Sequence, residues 1–194
     1  MKFSLRTLLY IVIAAGAIFV GLSFFDNEPQ TDVAVLEAMR EGDMKKLIFS
    51  APKPMVETVF VGEDGQPMTL GAFRGQYTVL NFWATWCAPC RKEMPTLEAL
   101  DKAFEGKGLD VVTIATGRNP APAIDKFFTE IGVENLTKHL DPKQALARDM
   151  AVLGLPVTVV LDRDAREIAR LTGDADWDAP EAIAILTALV ESGS

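Results

Sequence analysis

Cysteine and histidine are almost missing from this chain: Cys87, Cys90 and His139 are the only three in 194 residues. A closed structural zinc site takes about four such ligands, so that class of site is excluded. Basic residues are also short, 19 Lys and Arg against 27 Asp and Glu, for a formal net charge of −8. Two of the basic residues, Lys2 and Arg6, lie in an apolar leader. The rest of the chain is therefore more acidic still, and nucleic acid is set aside as a partner. No internal repeat or low-complexity tract is visible. The leader has no cysteine to accept a lipid, which excludes a lipoprotein.

What is present is concentrated in Trp86-Cys87-Ala88-Pro89-Cys90. Ahead of it, Val79-Leu80-Asn81-Phe82-Trp83-Ala84 has the β-branched and aromatic pattern of a buried strand. After it, Arg91-Lys92-Glu93-Met94-Pro95 opens a helical pattern continued by Leu97 and Leu100. Two cysteines separated by two residues at a strand-to-helix turn suit exchange between dithiol and disulfide. Free N–H groups and the dipole at the helix start stabilise a thiolate there, so Cys87 is the expected attacking sulfur. A permanent staple suits so short and exposed a spacer less well. Copper(I), a soft ion held by thiolates, stays open as an alternative use of the pair. Glu93 falls one helical turn past Cys90, at i+3. A partly buried carboxylate there can take the proton of the second thiol, while an exposed surface position is the plainer reading.

The run from Asn81 to Pro95 resembles the active-site signature of the membrane-anchored, reducing branch of the thioredoxin superfamily, the TlpA/ResA-like proteins. The resemblance extends over roughly residues 52 to 190. It implies an α/β, thioredoxin-like fold with a mixed central β-sheet flanked by helices. It also implies a thiol-disulfide oxidoreductase that needs no cofactor beyond the Cys87 and Cys90 pair. Pro156, in Gly154-Leu155-Pro156-Val157-Thr158, becomes the cis-proline set against the cysteines. The backbone of Leu155 would then pair with a bound polypeptide as an added strand, and Trp86, Ala88 and Pro89 would join the docking surface. In this family a glutamate at the place of Glu93 modulates the cysteine acidities. Asn81 is a departure, because thioredoxin itself carries a buried aspartate six residues before the first cysteine, and the loss shifts weight to Glu93. Trp83 is expected in the core. Trp177 resembles a TlpA-type C-terminal feature but is read as packing, and the lone His139 as a surface or helix-end residue. Sco-type copper chaperones resemble this fold but use C-x-x-x-C with a distant histidine, so metal delivery remains the alternative function.

Compartment is read from the leader. Leu8 to Phe25 carries no charge and, at helical rise, is roughly 27 Å long, enough to cross a bilayer. Ala15-Gly16-Ala17 fits a small-x-small cleavage pattern but lies inside the apolar run, so residues 1–25 are expected to stay as an anchor. Lys2 and Arg6 precede the span and Asp26, Glu28 and Asp32 follow it, which keeps the N-terminus cytoplasmic. The expected place is a bacterial inner membrane, single-pass, with the catalytic domain facing the periplasm. By family analogy a membrane thiol donor of the DsbD/CcdA kind would supply electrons. Targets would be disulfides in copper-site proteins, their copper chaperone or apocytochrome c.

Residues 26–50 are expected as a juxtamembrane helical spacer, amphipathic from Asp32 to Phe49 and broken at Gly42, and 51–194 as the thioredoxin-like domain. Within that domain the pattern predicts a hairpin from Val56 to Val61 and Thr69-Leu70. Strands are expected at Thr78 to Trp83 and Leu109 to Ala115, and helices at Pro89 to Phe104, Ala121 to Ile131 and Pro142 to Leu153. A closing hairpin at Val157 to Leu161 and Glu167 to Leu171 and a last helix at Ala179 to Glu191 complete it.

Overall fold

The computed structural model describes residues 33–193. The expected anchor at 1–25 and the start of the expected spacer lie outside the described residues. Among the described residues no helix is long and apolar enough to cross a membrane. In chain order the elements are α1 (Val33–Ala38), β1 (Ile48–Lys53), β2 (Phe60–Val61), β3 (Pro67–Met68), β4 (Tyr77–Trp83), α2 (Ala88–Phe104), β5 (Leu109–Thr116) and α3 (Ala121–Ile131). They continue with β6 (His139–Asp141), α4 (Ala145–Asp149), β7 (Val157–Leu161), β8 (Glu167–Thr172) and α5 (Pro180–Ser192).

All seven residues of β4 are buried, as befits a strand covered on both faces. The sheet runs β1-β8-β7-β4-β5-β6-β2-β3. Beside β4, β5 is parallel with Asn81 opposite Thr113, and β7 is antiparallel with Asn81 opposite Thr158. Because successive strand residues point to opposite faces, this register sorts the core in two. Val79, Trp83, Val111, Ala115 and Val160 pack with Met94 and Leu97 of α2, Phe127 of α3 and Ile185 of α5. Leu80, Phe82, Val112, Ile114 and Val159 pack on the other face with Phe60, Leu70 and Leu146. Asn81 and Thr158 therefore form a polar spot on the face that α2 covers. The result is the expected thioredoxin-like fold, a mixed sheet with helices on both faces.

Three local expectations change. The stretch from 33 to 49, expected as an amphipathic helical spacer broken at Gly42, is helical only in part. The short α1 ends at Ala38, a 3₁₀ turn at Gly42–Lys46 follows with Gly42 at φ +48, and strand β1 comes next. Leu36, Met44 and Leu47 join the same core as α2. The early hairpin shrinks to the two-residue strands β2 and β3, and Leu70 instead opens a 3₁₀ turn. The helix expected from Pro142 is only α4. The Asp141 carboxylate accepts the N–H groups of Ala145 and Ala147, both at 2.9 Å, and fixes its start, while Ala151 at φ 54 marks its end.

Candidate active site

The chain leaves β4 at Trp83 and turns into α2 within four residues. That turn is held by Asn119, whose Oδ1 accepts from Thr85 N at 2.8 Å and Thr85 Oγ1 at 3.0 Å. From beneath, Trp83 packs on Phe127 and Phe128 with ring centroids 4.7 and 5.3 Å away. Cys87 is the N-cap of α2, and its Sγ accepts the Cys90 N–H at 3.3 Å. Pro89 sits in the first turn, where its missing N–H costs nothing. The two sulfurs form a disulfide of 2.09 Å. Cys87 retains 5% exposure and Cys90 none, so of the two residues Cys87 is the one open to solvent.

Around the pair, Ala88 and Pro89 are exposed and Trp86 is 67% exposed. The Leu155–Pro156 peptide is cis, as the resemblance implied. Val157 pairs with Phe82, which puts Pro156 beside Trp83 at the end of the strand that feeds the cysteines. Leu155 is half-buried and Pro156 buried. Leu153, two residues earlier, is 98% exposed. Arg91 lies over the Phe127 ring at 4.6 Å and pairs with Glu130 at 3.0 Å.

Glu93 lies one turn beyond Cys90 and is 1% exposed, which removes the surface reading. Its Oε1 accepts from Asn81 Nδ2 at 2.8 Å, and its Oε2 from Ala175 N at 3.3 Å and Trp177 Nε1 at 3.4 Å. Burial pushes its carboxyl up from the ordinary 4.5 to about 7. The three donors oppose that push and the Asp174 charge adds to it. Thr96 Oγ1 donates to Glu93 O at 2.8 Å and accepts from Trp177 N at 3.0 Å. Trp177 is thus packing, as expected, and also a donor to the buried carboxylate, which was not. Thr158, Ala175, Thr96 and Asn119 were likewise not anticipated, because their partners lie far away in sequence.

His139 is a correction. It is buried in β6, where its Nδ1 accepts the Glu63 N–H at 3.0 Å and its ring meets Phe60 edge-on at 5.7 Å. Burial pushes its imidazole below the ordinary value. Its strand partner Ile114 belongs to the core on the face away from α2, so it does not join the cysteines. Among the described residues no group of three or more His, Cys, Asp and Glu is placed to hold a metal ion.

A thioredoxin-like sheet that delivers a C-x-x-C pair to the start of a helix, opposite a cis-proline, defines the thioredoxin-like class of domains. Residues 50–186 match the Redoxin family, and the chain belongs to that family. It is similar to "Thiol-disulfide oxidoreductase ResA" of Bacillus thuringiensis subsp. konkukian, 32% identical over 119 residues, 57% of this chain and 63% of that protein. The chain thus spans under two thirds of that relative. It is also similar to "Thiol:disulfide interchange protein HelX" of Rhodobacter capsulatus, 28% identical over 89% of this chain and 90% of that one. A solved DsbF homologue from Corynebacterium diphtheriae shares the fold, with TM-score 0.60 and 23% identity over 75% of this chain and 92% of that one.

Proposed function

We propose that this protein is a thiol-disulfide oxidoreductase that reduces cysteine pairs in other proteins, tethered by residues 1–25 to a bacterial inner membrane with its domain in the periplasm. The observation that carries the reading is Cys87 at the start of α2, its Sγ accepting the Cys90 N–H at 3.3 Å. In the reduced pair that position favours a Cys87 thiolate. The thiolate attacks one sulfur of a target disulfide, and the other target sulfur leaves as a thiolate and takes up a proton. Cys90 then gives its proton to Glu93 and attacks the Cys87 sulfur, releasing the second target thiolate. The target gains two electrons, and the pair closes as a disulfide. A carboxyl near 7 suits proton exchange at neutral pH.

Trp86, Ala88 and Pro89 give the target an exposed apolar rim, and the Leu155 backbone ahead of Pro156 offers it an added-strand contact. Apocytochrome c, copper-site proteins of cytochrome oxidase and their copper chaperone are the proposed targets, since each needs free thiols for attachment. A membrane thiol donor of the DsbD/CcdA kind would re-reduce the pair. The names carried by the ResA and HelX relatives support the exchange chemistry.

Equilibration of the full chain with glutathione buffers tests the direction. The expected midpoint lies nearer thioredoxin's ≈ −270 mV than the ≈ −120 mV of a strong oxidant. A midpoint above about −180 mV would make the pair a better disulfide donor than acceptor, and the reductase reading would fall. A reporter fused after Ser194 should be active only outside the cytoplasm. Release of the protein from membranes by a carbonate wash would remove the anchor from the proposal.

A further inference from the structure

Glu93 is enclosed by two kinds of partner. Its Oε2 faces the Ala175 N–H and the Trp177 indole N–H, which donate and cannot accept. Its Oε1 faces Nδ2 of Asn81, and an amide presents either a donor or an acceptor according to which way it is turned. The same Nδ2 donates to Thr158 Oγ1 at 2.9 Å, a hydroxyl equally able to reverse its role. On the far side, Asn81 Oδ1 is buried without a hydrogen-bond partner. Nothing there holds the amide in one sense.

We infer that Asn81 is the positioning residue for the Glu93 proton, its amide turning over so that Nδ2 donates to a charged Oε1 and Oδ1 accepts from a protonated one. The inference rests on the oxidoreductase reading, in which that proton comes from Cys90 as it attacks the Cys87 sulfur and returns when the pair is reduced again. A proton on Oε2 would meet two donors and no acceptor, leaving a buried hydroxyl unsatisfied. On Oε1 it meets the one neighbour that can change sense. Turning the amide replaces its two hydrogen bonds by two of opposite direction, with Thr158 reversing in step, and moves the unpartnered end of the amide from Oδ1 to Nδ2. Few other charges face the site. Its own helix brings Cys90 and Lys92, the latter paired with Asp174 at 2.7 Å. The loop after β8 brings Asp174, whose charge acts on Glu93, and β4 and β7 bring Asn81 and Thr158, neither of which ionises.

The test is the pH profile of single-turnover insulin disulfide reduction by the full chain in detergent. Asn81→Leu keeps the shape but neither donates nor accepts. Because a charged carboxylate loses more from a missing donor than a neutral carboxyl loses from a missing acceptor, the acid limb should move up by about one pH unit, roughly a tenfold loss of rate below it. In a Glu93→Gln background the same change should move nothing. Nitrogen-15 NMR of the wild type gives a second readout that does not depend on the variant folding. The Asn81 side-chain amide signals should titrate with Glu93 and stop titrating in Glu93→Gln. A limb that stays in place, or an amide that does not titrate, overturns the role of Asn81. A wild type that reduces no disulfide at any pH overturns the oxidoreductase reading instead, and the amide titration still decides the role of Asn81.

Discussion

The indole Nε1 of Trp177 donates to Glu93 Oε2 at 3.4 Å across 84 positions of sequence. Its backbone N–H donates to Thr96 on the same helix at 3.0 Å. One residue of the loop before α5 therefore fixes both the active-site helix and the carboxylate behind the cysteines. Trp177→Phe keeps a ring in this fully buried place and deletes the donor. Losing a hydrogen bond to the charged form favours the neutral one, so Glu93 should titrate above its value of about 7. Carbon-13 NMR of the Glu93 carboxyl reads this directly. A midpoint that stays or falls would show that the indole does not stabilise the charge.

The same carboxyl makes folding depend on pH. Glu93 goes from 4.5 to about 7 on burial, so the folded state holds its proton more tightly than the unfolded one. Below about 4.5 both states are protonated and the advantage is complete. As pH rises through 7 the folded carboxyl must ionise while buried, and the advantage is lost. Relative to Glu93→Gln, the wild type should lose about 3 kcal/mol of stability between pH 4 and pH 8, at ~1.4 kcal/mol per pH unit. Urea unfolding of both proteins at the two pH values measures the difference. A constant gap would mean that Glu93 ionises as easily folded as unfolded.

The cysteine pair and the place of Glu93 were legible because their signals are local, a two-residue spacer and one helical turn. The cis peptide at Pro156 came instead through the family resemblance, since a proline at a strand start does not fix the isomer. β4 and β7 were legible from local signals too, as short, mostly apolar runs interrupted by Thr78, Asn81 and Thr158. β1 was not, because four of its six residues are exposed and it has neither alternation nor an apolar run. β6 has three residues and exists by its parallel pairing with β5, which no window of sequence displays. His139 looked isolated because the group that satisfies it, the Glu63 N–H, is 76 positions away. The departure at Asn81 was visible, but not that its amide would face Glu93. That contact depends on the angle at which α2 crosses β4.

At the other edge of the sheet, Glu167 is buried between two cations. Its carboxylate takes Arg170 Nε at 2.9 Å and Nη2 at 2.6 Å, and Lys53 Nζ at 2.5 Å, joining β8 to β1. Burial pushes the group up, but Arg170 and Lys53 outweigh it and hold the carboxyl below its ordinary value. Glu167→Ala leaves the mostly buried Arg170 without its counter-charge and should cost about 3 kcal/mol. Lys53→Ala removes a half-exposed partner and should cost less than about 1 kcal/mol. Urea midpoints decide, and equal costs would mean that the pairing with Arg170 has no special weight.

Trp86 is the largest exposed apolar side chain beside the reactive sulfur, at 67% exposure. Little of it packs on this chain, so Trp86→Ala should change stability by no more than about 0.5 kcal/mol. If the ring is where a target rests, its removal should be felt in turnover. An aromatic anchor at the centre of a docking surface is worth roughly 1–2 kcal/mol, about a tenfold fall in kcat/KM toward a protein disulfide. A small disulfide such as oxidised glutathione covers far less of this rim than a folded target does, so its loss should be several-fold smaller. Equal losses for the two substrates would place Trp86 in the chemistry of Cys87 and not in docking, because only an effect on the sulfur itself is blind to the size of the partner.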